Sequence, residues 1–568
     1  MNPLRRSGQI TRRRRSRLLA ATVIPAALSV ALAACGSDNH TASSAGGDGG
    51  TPVTGGTLNV SFWQENVSFP CIDPFQTYWI EHRSEIRNFT DSLTDQDPAT
   101  GKVIPHLATS WTISPDGKAY TFKLRTDVTF SDGTPFNSDA VVANVNGWLA
   151  AQKEKAGIYG ASYISNVVGA KAIDPSTVEV DLSAPNLSFL QATATTNLAI
   201  LAPSAYKVSL AQRCQGEGLI GTGPFVLDKY TPKVGLVLKK RADYKWPSAI
   251  SKNKGAPYLD EVDFHYVTDD SVRTGNLLNG STDIAWPRNP FSIQDLAQIK
   301  GHGDVIENRS LPGISYAYFA NTTPGRPLAD LAVRKAIYQA TDFKTVAATT
   351  FGGDYPVAQS VYNSTTPYFK SQSAKLGFDL DAAKKSLDAA GWKVGSDGIR
   401  VKDGKKLVLI SPQAGSAAPG VELWQSELKE AGIDLQTPIV QMSQFLGIQN
   451  DPTKWDLFGS YLTRADPGAL RSIILPSQAT TPGLAKALTA SDPSSAAQVQ
   501  SLLTKATDTT DLSVASDTYG QLQDFLTDQG LVFPLLERVQ YAGVNPKVHG
   551  FAFTAEAFLD ASSIWISK

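Results

Sequence analysis

Residues 18–34 read LLAATVIPAALSVALAA, an uncharged run that follows seven arginines and no acidic residue. A basic segment leading into an apolar run is the pattern of a secretory signal. At 17 residues the run also reaches the lower limit for a membrane span, so length alone leaves an uncleaved anchor open. In both cases the remaining chain folds outside the cytoplasm. Without its first 34 residues the chain holds 45 Lys+Arg against 53 Asp+Glu, a net of −8. Nucleic-acid binding needs basic surface, so that class is excluded. The 568 residues exceed one ordinary domain several-fold, and 42 % hydrophobic with 18 % charged residues is a globular composition. With 3 Cys and 6 scattered His, neither a metal cluster nor a cofactor is expected.

The end of the apolar run separates signal from anchor. Leu32-Ala33-Ala34-Cys35-Gly36 resembles a bacterial lipobox, which implies cleavage before Cys35 and acylation of its thiol. Each buried CH₂ contributes roughly 0.8 kcal/mol, so two or three acyl chains hold a protein on a membrane. Residues 35–55 then form the lipidated cysteine and a tether, 12 of the 20 residues from Gly36 to Gly55 being Gly, Ser or Thr. Random-coil scaling gives that tether a span of roughly 25 Å. The arginine run leaves general-secretory and twin-arginine export both open. In an oxidising exterior the remaining Cys71 and Cys214 are expected to pair, two separately buried thiols being the alternative.

The body alternates strand and helix signals. Thr57 to Phe62 alternates polar and apolar, as a strand with one buried face does. Trp111 to Ile113 and Tyr120 to Leu124 flank a Pro-Asp-Gly turn and predict a hairpin. Asn137 is a predicted N-cap for a helix over about 139–150. Leu380, Ala383, Leu387 and Ala390 form a helical stripe stopped by Gly391. Val421, Trp424, Leu428 and Ala431 repeat it before Gly432 and a short strand. Such units suit α/β layers. Neither HExxH nor GxSxG occurs. The glycines and lysines of residues 398–406 have the wrong spacing for a phosphate loop and predict a hairpin instead.

Seven stretches then carry a family resemblance. GKVIPHLATSW (101–111), SPDGKAYTFKLR (114–125) and VTFSDGTPF (128–136) resemble the signature stretch of peptide/nickel-type solute-binding proteins of ABC importers, extracellular solute-binding protein family 5. GTGPF (221–225), ADLAVRKAI (329–337), DAAKKSLDAAGW (381–392) and ELKEAGIDL (427–435) resemble later blocks in the family's order. The resemblance implies an α/β, two-lobed periplasmic-binding-protein-like fold of type II, in the large peptide-binder variant, with mixed sheets and two hinge crossings. Lobe I is expected from residues 56–315 plus 531–568 and lobe II from 316–530. It implies no enzyme but a monomeric lipoprotein that captures a small solute, foremost an oligopeptide, and hands it to ABC permease subunits. An oligosaccharide, an opine, haem or a nickel chelate are alternative solutes. A secreted hydrolase and a signalling relative are competing classes.

The resemblance also points to the cleft. In peptide-binding relatives an aspartate in a W-x-A-D-Y-x-D-P stretch pairs with the peptide amine. Here the stretch is GSYLTRADP (459–467): Tyr461 replaces Trp, Thr463 stands at the Asp position, and Asp466-Pro467 closes it. Arg464 is expected either to meet a ligand carboxylate or to serve as a structural charge. Asp466 is expected either in the cleft or capping a turn. Trp286 and Arg288 follow a block resembling the segment that leads to the cleft, and Trp63 and Trp79 are further aromatic candidates. Core packing is the alternative for each aromatic.

Overall fold

The computed structural model describes residues 50–63, 70–155, 158–351, 355–415, 419–476, 479 and 481–568. The leader over 1–34, Cys35 and the tether up to residue 49 lie outside the described residues. Thr57–Phe62 is the predicted strand, with Leu58, Val60 and Phe62 fully buried. It pairs in parallel with Glu261–Tyr266 on one side and Ile284–Trp286 on the other. These three lie inside a seven-stranded mixed sheet completed by Phe225–Thr231, Gly235–Lys240, Val305–Ser310 and Val539–Val544. The last of these comes from near the C-terminus and inserts between Val305–Ser310 and Ile284–Trp286. Burying a side chain such as Phe62 here stabilises the fold by about 1.5–3 kcal/mol.

The predicted hairpin is present as Ala108–Ile113 paired with Ala119–Leu124, Trp111 opposite Phe122. It belongs to a four-stranded antiparallel sheet with Val167–Asp174 and Thr177–Leu182. The Asn137 side chain accepts from the Ala140 N–H at 3.0 Å, and the helix it caps runs Ser138–Glu154, one turn beyond the expected end. The extra turn buries Ala151, an apolar position that the sequence reading left out.

Further along, the helices Leu380–Ala389 and Pro419–Glu430 bury Ala383, Leu387, Val421, Trp424 and Leu428, as the two stripes predict. Gly432 takes φ +84°, and a Cβ there would meet Arg400 Cγ at 2.7 Å, so the stop needs glycine for both reasons. Asp434–Gln436 follows and pairs in parallel with Val408–Ile410. Residues 398–406 form the antiparallel pair Arg400–Lys402 and Lys405–Lys406.

A three-stranded sheet links these parts. Gly313–Ala320 is its centre, flanked antiparallel by Leu457–Thr463 and Val532–Leu536. The two segments at which the chain was expected to cross between lobes are thus hydrogen-bonded neighbours, Tyr318 lying opposite Phe533. Cys71 and Cys214 are disulfide-bonded across 143 residues of sequence. Beside the bridge the Ile72 N–H donates to the Cys214 carbonyl at 3.2 Å, and Arg213 pairs with buried Asp73 at 2.9 Å.

Candidate functional site

In open α/β sheets ligands collect outside the carboxyl ends of parallel strands. Two such ends lie side by side here. Thr57–Phe62 runs into Trp63, whose N–H donates to the Trp286 carbonyl at 3.1 Å. Ile284–Trp286 runs through Pro287 into Arg288. The Arg288 guanidinium lies 4.9 Å from the ring centre of Trp63 and 5.0 Å from that of Trp79. Cation–π contacts of this kind contribute about 0.5–2 kcal/mol each. Arg288 Nη1 donates to Glu81 Oε1 at 2.9 Å, and Nη2 donates to the Tyr461 hydroxyl at 3.0 Å. Glu81 sits in the first turn of the helix Ile80–Ile86, immediately after Trp79.

Tyr461 comes from Leu457–Thr463 and so brings the three-stranded sheet to the same point. The Arg538 guanidinium lies 4.2 Å from its ring centre, and the Tyr316 ring lies 5.9 Å away. Burial opposes ionisation of Tyr461, but the Arg288 and Arg538 charges and the Arg288 hydrogen bond outweigh it and hold its hydroxyl below the usual tyrosine value. Nearby Tyr159, Tyr163 and Tyr316 move the other way, because burial dominates there. The field around Tyr461 therefore favours negative charge. Arg538 is 7 % exposed, has no ion-pair partner among the described residues, and reaches Thr463 Oγ1 at 3.4 Å. The Thr463 carbonyl accepts from Arg83 Nη2 at 3.1 Å. Thr463 is thus flanked by two cations, Arg83 at its carbonyl and Arg538 at its hydroxyl.

Of the residues singled out from sequence, Trp63, Trp79, Arg288 and Tyr461 come together in this cluster. Trp286 does not join them. It is 2 % exposed, with its ring stacked on Phe62 at 5.7 Å and 5.5 Å from Phe553, so its side chain fills the core beneath the sheet's end. Arg464 and Asp466 pair with each other at 2.7 Å. Arg464 also donates to Ser162 Oγ at 2.9 Å and Ser472 Oγ at 3.1 Å, over the Tyr163 ring. Of the two roles open to Arg464, the geometry supplies the structural one: most of its fork is engaged inside the protein. Glu81 and Arg538 were missed. Neither carries a local motif, although Arg538 lies just beyond the second expected crossing. Among the described residues no group of three or more His, Cys, Asp or Glu side chains is placed to hold a metal ion.

Residues 102–473 match the family described as bacterial extracellular solute-binding proteins, family 5. The chain belongs to this family. Family 5 members are solute-binding proteins, not enzymes. The nickel-binding periplasmic protein of Escherichia coli K12 is 28 % identical over 360 residues, covering 62 % of this chain and 66 % of that protein, just under two thirds of its length. The glutathione-binding protein GsiB of the same strain is 27 % identical over 378 residues, covering 66 % of this chain and 69 % of the relative. The fold agrees. NikA from Brucella suis, solved with Fe(III)-EDTA, superposes with TM-score 0.76 at 24 % identity, over 90 % of this chain and all of that one. AppA from Bacillus subtilis, solved with a nonapeptide, gives 0.69 at 20 % identity, over 91 % of this chain and 100 % of that one.

Proposed function

We propose that this family 5 protein captures a short, carboxylate-bearing peptide and delivers it to the permease of an ABC importer, acting as a lipid-anchored monomer on the outer face of the cell membrane, as in Gram-positive bacteria. The observation that carries the peptide reading is Arg538, buried beside Tyr461 and Thr463 with no ion-pair partner among the described residues. A guanidinium in that state accepts a carboxylate, and its planar fork suits one. Leu457–Thr463 is an edge strand of its sheet, which favours an extended main chain as partner. We read residues 56–315 with 531–568 as one lobe and 316–530 as the other. The neighbouring crossings at Gly313–Ala320 and Val532–Leu536 support a hinge there. Solute touching Arg288 on one side and Tyr461 on the other binds the closed form better and shifts the population toward it.

Calorimetry with trialanine, N-acetyl-trialanine and trialanine amide tests the solute. Because Thr463 and its two arginines replace an amine-binding carboxylate, the acetylated peptide should bind as well as the free one. The amide should bind at least ten-fold more weakly, since a hydrogen bond to a charged group is worth about 1.5–3 kcal/mol. Binding of a neutral oligosaccharide and of none of the three peptides would end the peptide reading and leave family membership untouched. The anchor rests on Cys35 alone, so Cys35→Ala should move the protein from the membrane pellet to the soluble fraction. Retention of that variant on membranes after washing would remove the lipid reading.

A further inference from the structure

A second polar cavity lies beyond the aromatic cluster. From Arg288 the contacts run through Trp79 to Tyr78, Tyr159 and Tyr163, successive ring centres lying 5.1, 5.1 and 5.7 Å apart, and Tyr163 sits under Arg464. Arg464 lines a cavity of about 560 Å³, together with Lys155, Asp466, Arg471 and the hydroxyls of Ser162, Ser188 and Ser472. Three of its charged lining residues are cationic and one is anionic. The Asp466 charge is taken by Arg464 at 2.7 Å.

Arg471 is different. Its Nη1 donates to Thr507 Oγ1 at 2.8 Å, but its Nε is buried without an acceptor. No carboxylate lies within ion-pair distance of it among the described residues, although it borders a polar cavity. A guanidinium is always charged, and one that lines a cavity with no protein carboxylate to balance it favours an anion there. The hydroxyls around it suit the remaining oxygens of a carboxylate. We infer that Arg471 is the centre of a second, anion-accepting subsite, so that the solute carries two separated anionic groups, one toward Arg538 and one toward Arg471. The first half of that statement stands on the cavity and Arg471 alone. The second rests on the reading of the cleft as a peptide site. The solute class is then a short acidic peptide, with a side-chain carboxylate besides its terminal one.

Two measurements on the mature protein test this separately. Crystals soaked in selenate should show an anomalous peak within hydrogen-bond distance of Arg471 in the wild type and none in Arg471→Gln. In calorimetry, at least one of Glu-Ala-Ala, Ala-Glu-Ala and Ala-Ala-Glu should bind ten-fold or more tightly than trialanine. Arg471→Gln should erase that preference and leave trialanine unchanged. Arg471→Lys should retain part of it. No selenate peak at Arg471 overturns the subsite whatever the peptides do. Where trialanine binds, a peak without any preference for acidic peptides, or a preference that survives in Arg471→Gln, reduces it to an adventitious ion only and overturns it equally. If no peptide binds, a peak lost in Arg471→Gln keeps the anion subsite and removes the peptide reading.

Discussion

Replacing Arg288 with methionine should lower the unfolding free energy by about 3–5 kcal/mol and abolish solute binding together. Arg288 pairs with Glu81, whose side chain is only 3 % exposed, so the variant leaves a carboxylate buried without its partner. The guanidinium also fills the gap between the indoles of Trp63 and Trp79, and methionine keeps volume there but not charge. The double variant Arg288→Met/Glu81→Gln separates the two losses. It should regain most of the stability, because no unpaired charge remains, and none of the affinity. Urea melts and trialanine calorimetry on the three proteins decide it. A single variant losing under about 1 kcal/mol would show that the pair is not buried in solution, by the scale of exposed pairs. A double variant that binds solute normally would remove Arg288 from the site.

The bridge between Cys71 and Cys214 should be worth almost as much. It closes a loop of 143 residues, for which the chain-entropy model gives about 5 kcal/mol, and removal of a native bridge typically costs about 2–5 kcal/mol. The variant Cys71→Ser/Cys214→Ser, or the wild type in dithiothreitol, should unfold at correspondingly lower urea. Thiol titration of unfolded, unreduced residues 36–568 should find none, and two titratable thiols would refute the bridge. The consequence reaches the site. The bridge lies eight residues before Trp79, and the segment between them is also held by Asp73 against Arg213 and by the Asn197 side chain, which donates to the Pro74 and Thr77 carbonyls. Burial raises the Asp73 carboxyl above its usual value against the pull of Arg213, so this pair by itself is a weak fastener. Without the bridge, these weaker contacts alone position Trp79 and Glu81, one wall of the Arg288 pocket. Trialanine affinity should therefore fall in the serine variant even at temperatures where it stays folded.

The features that sequence determined by itself are local in their physics. Asn137 caps its helix because its side chain reaches the Ala140 N–H three residues on, whatever the rest of the chain does. The Pro-Asp-Gly turn sets Trp111 against Phe122, and the stripes ending at Gly391 and Gly432 are buried where 3.6-residue spacing puts them. The ordered blocks between residues 101 and 435 were enough to show the family. What the tertiary structure alone decided is which strand-end side chain faces which way, and which charges meet. Trp63 and Trp286 end adjacent parallel strands and read alike in sequence. One lies on Arg288 while the other is packed on Phe62 and Phe553, because Trp286 is in register with Phe62 and shares its face, whereas Trp63 is one residue further along. Sequence left Arg464 open between a ligand carboxylate and a structural role; its pairing with Asp466, two residues away, is set together with Ser162 and Tyr163 from the other half of the chain. Glu81, Arg288, Tyr461 and Arg538 share no motif. They meet because the two sheets and the helix Ile80–Ile86 converge there, and no local pattern encodes the packing of segments hundreds of residues apart.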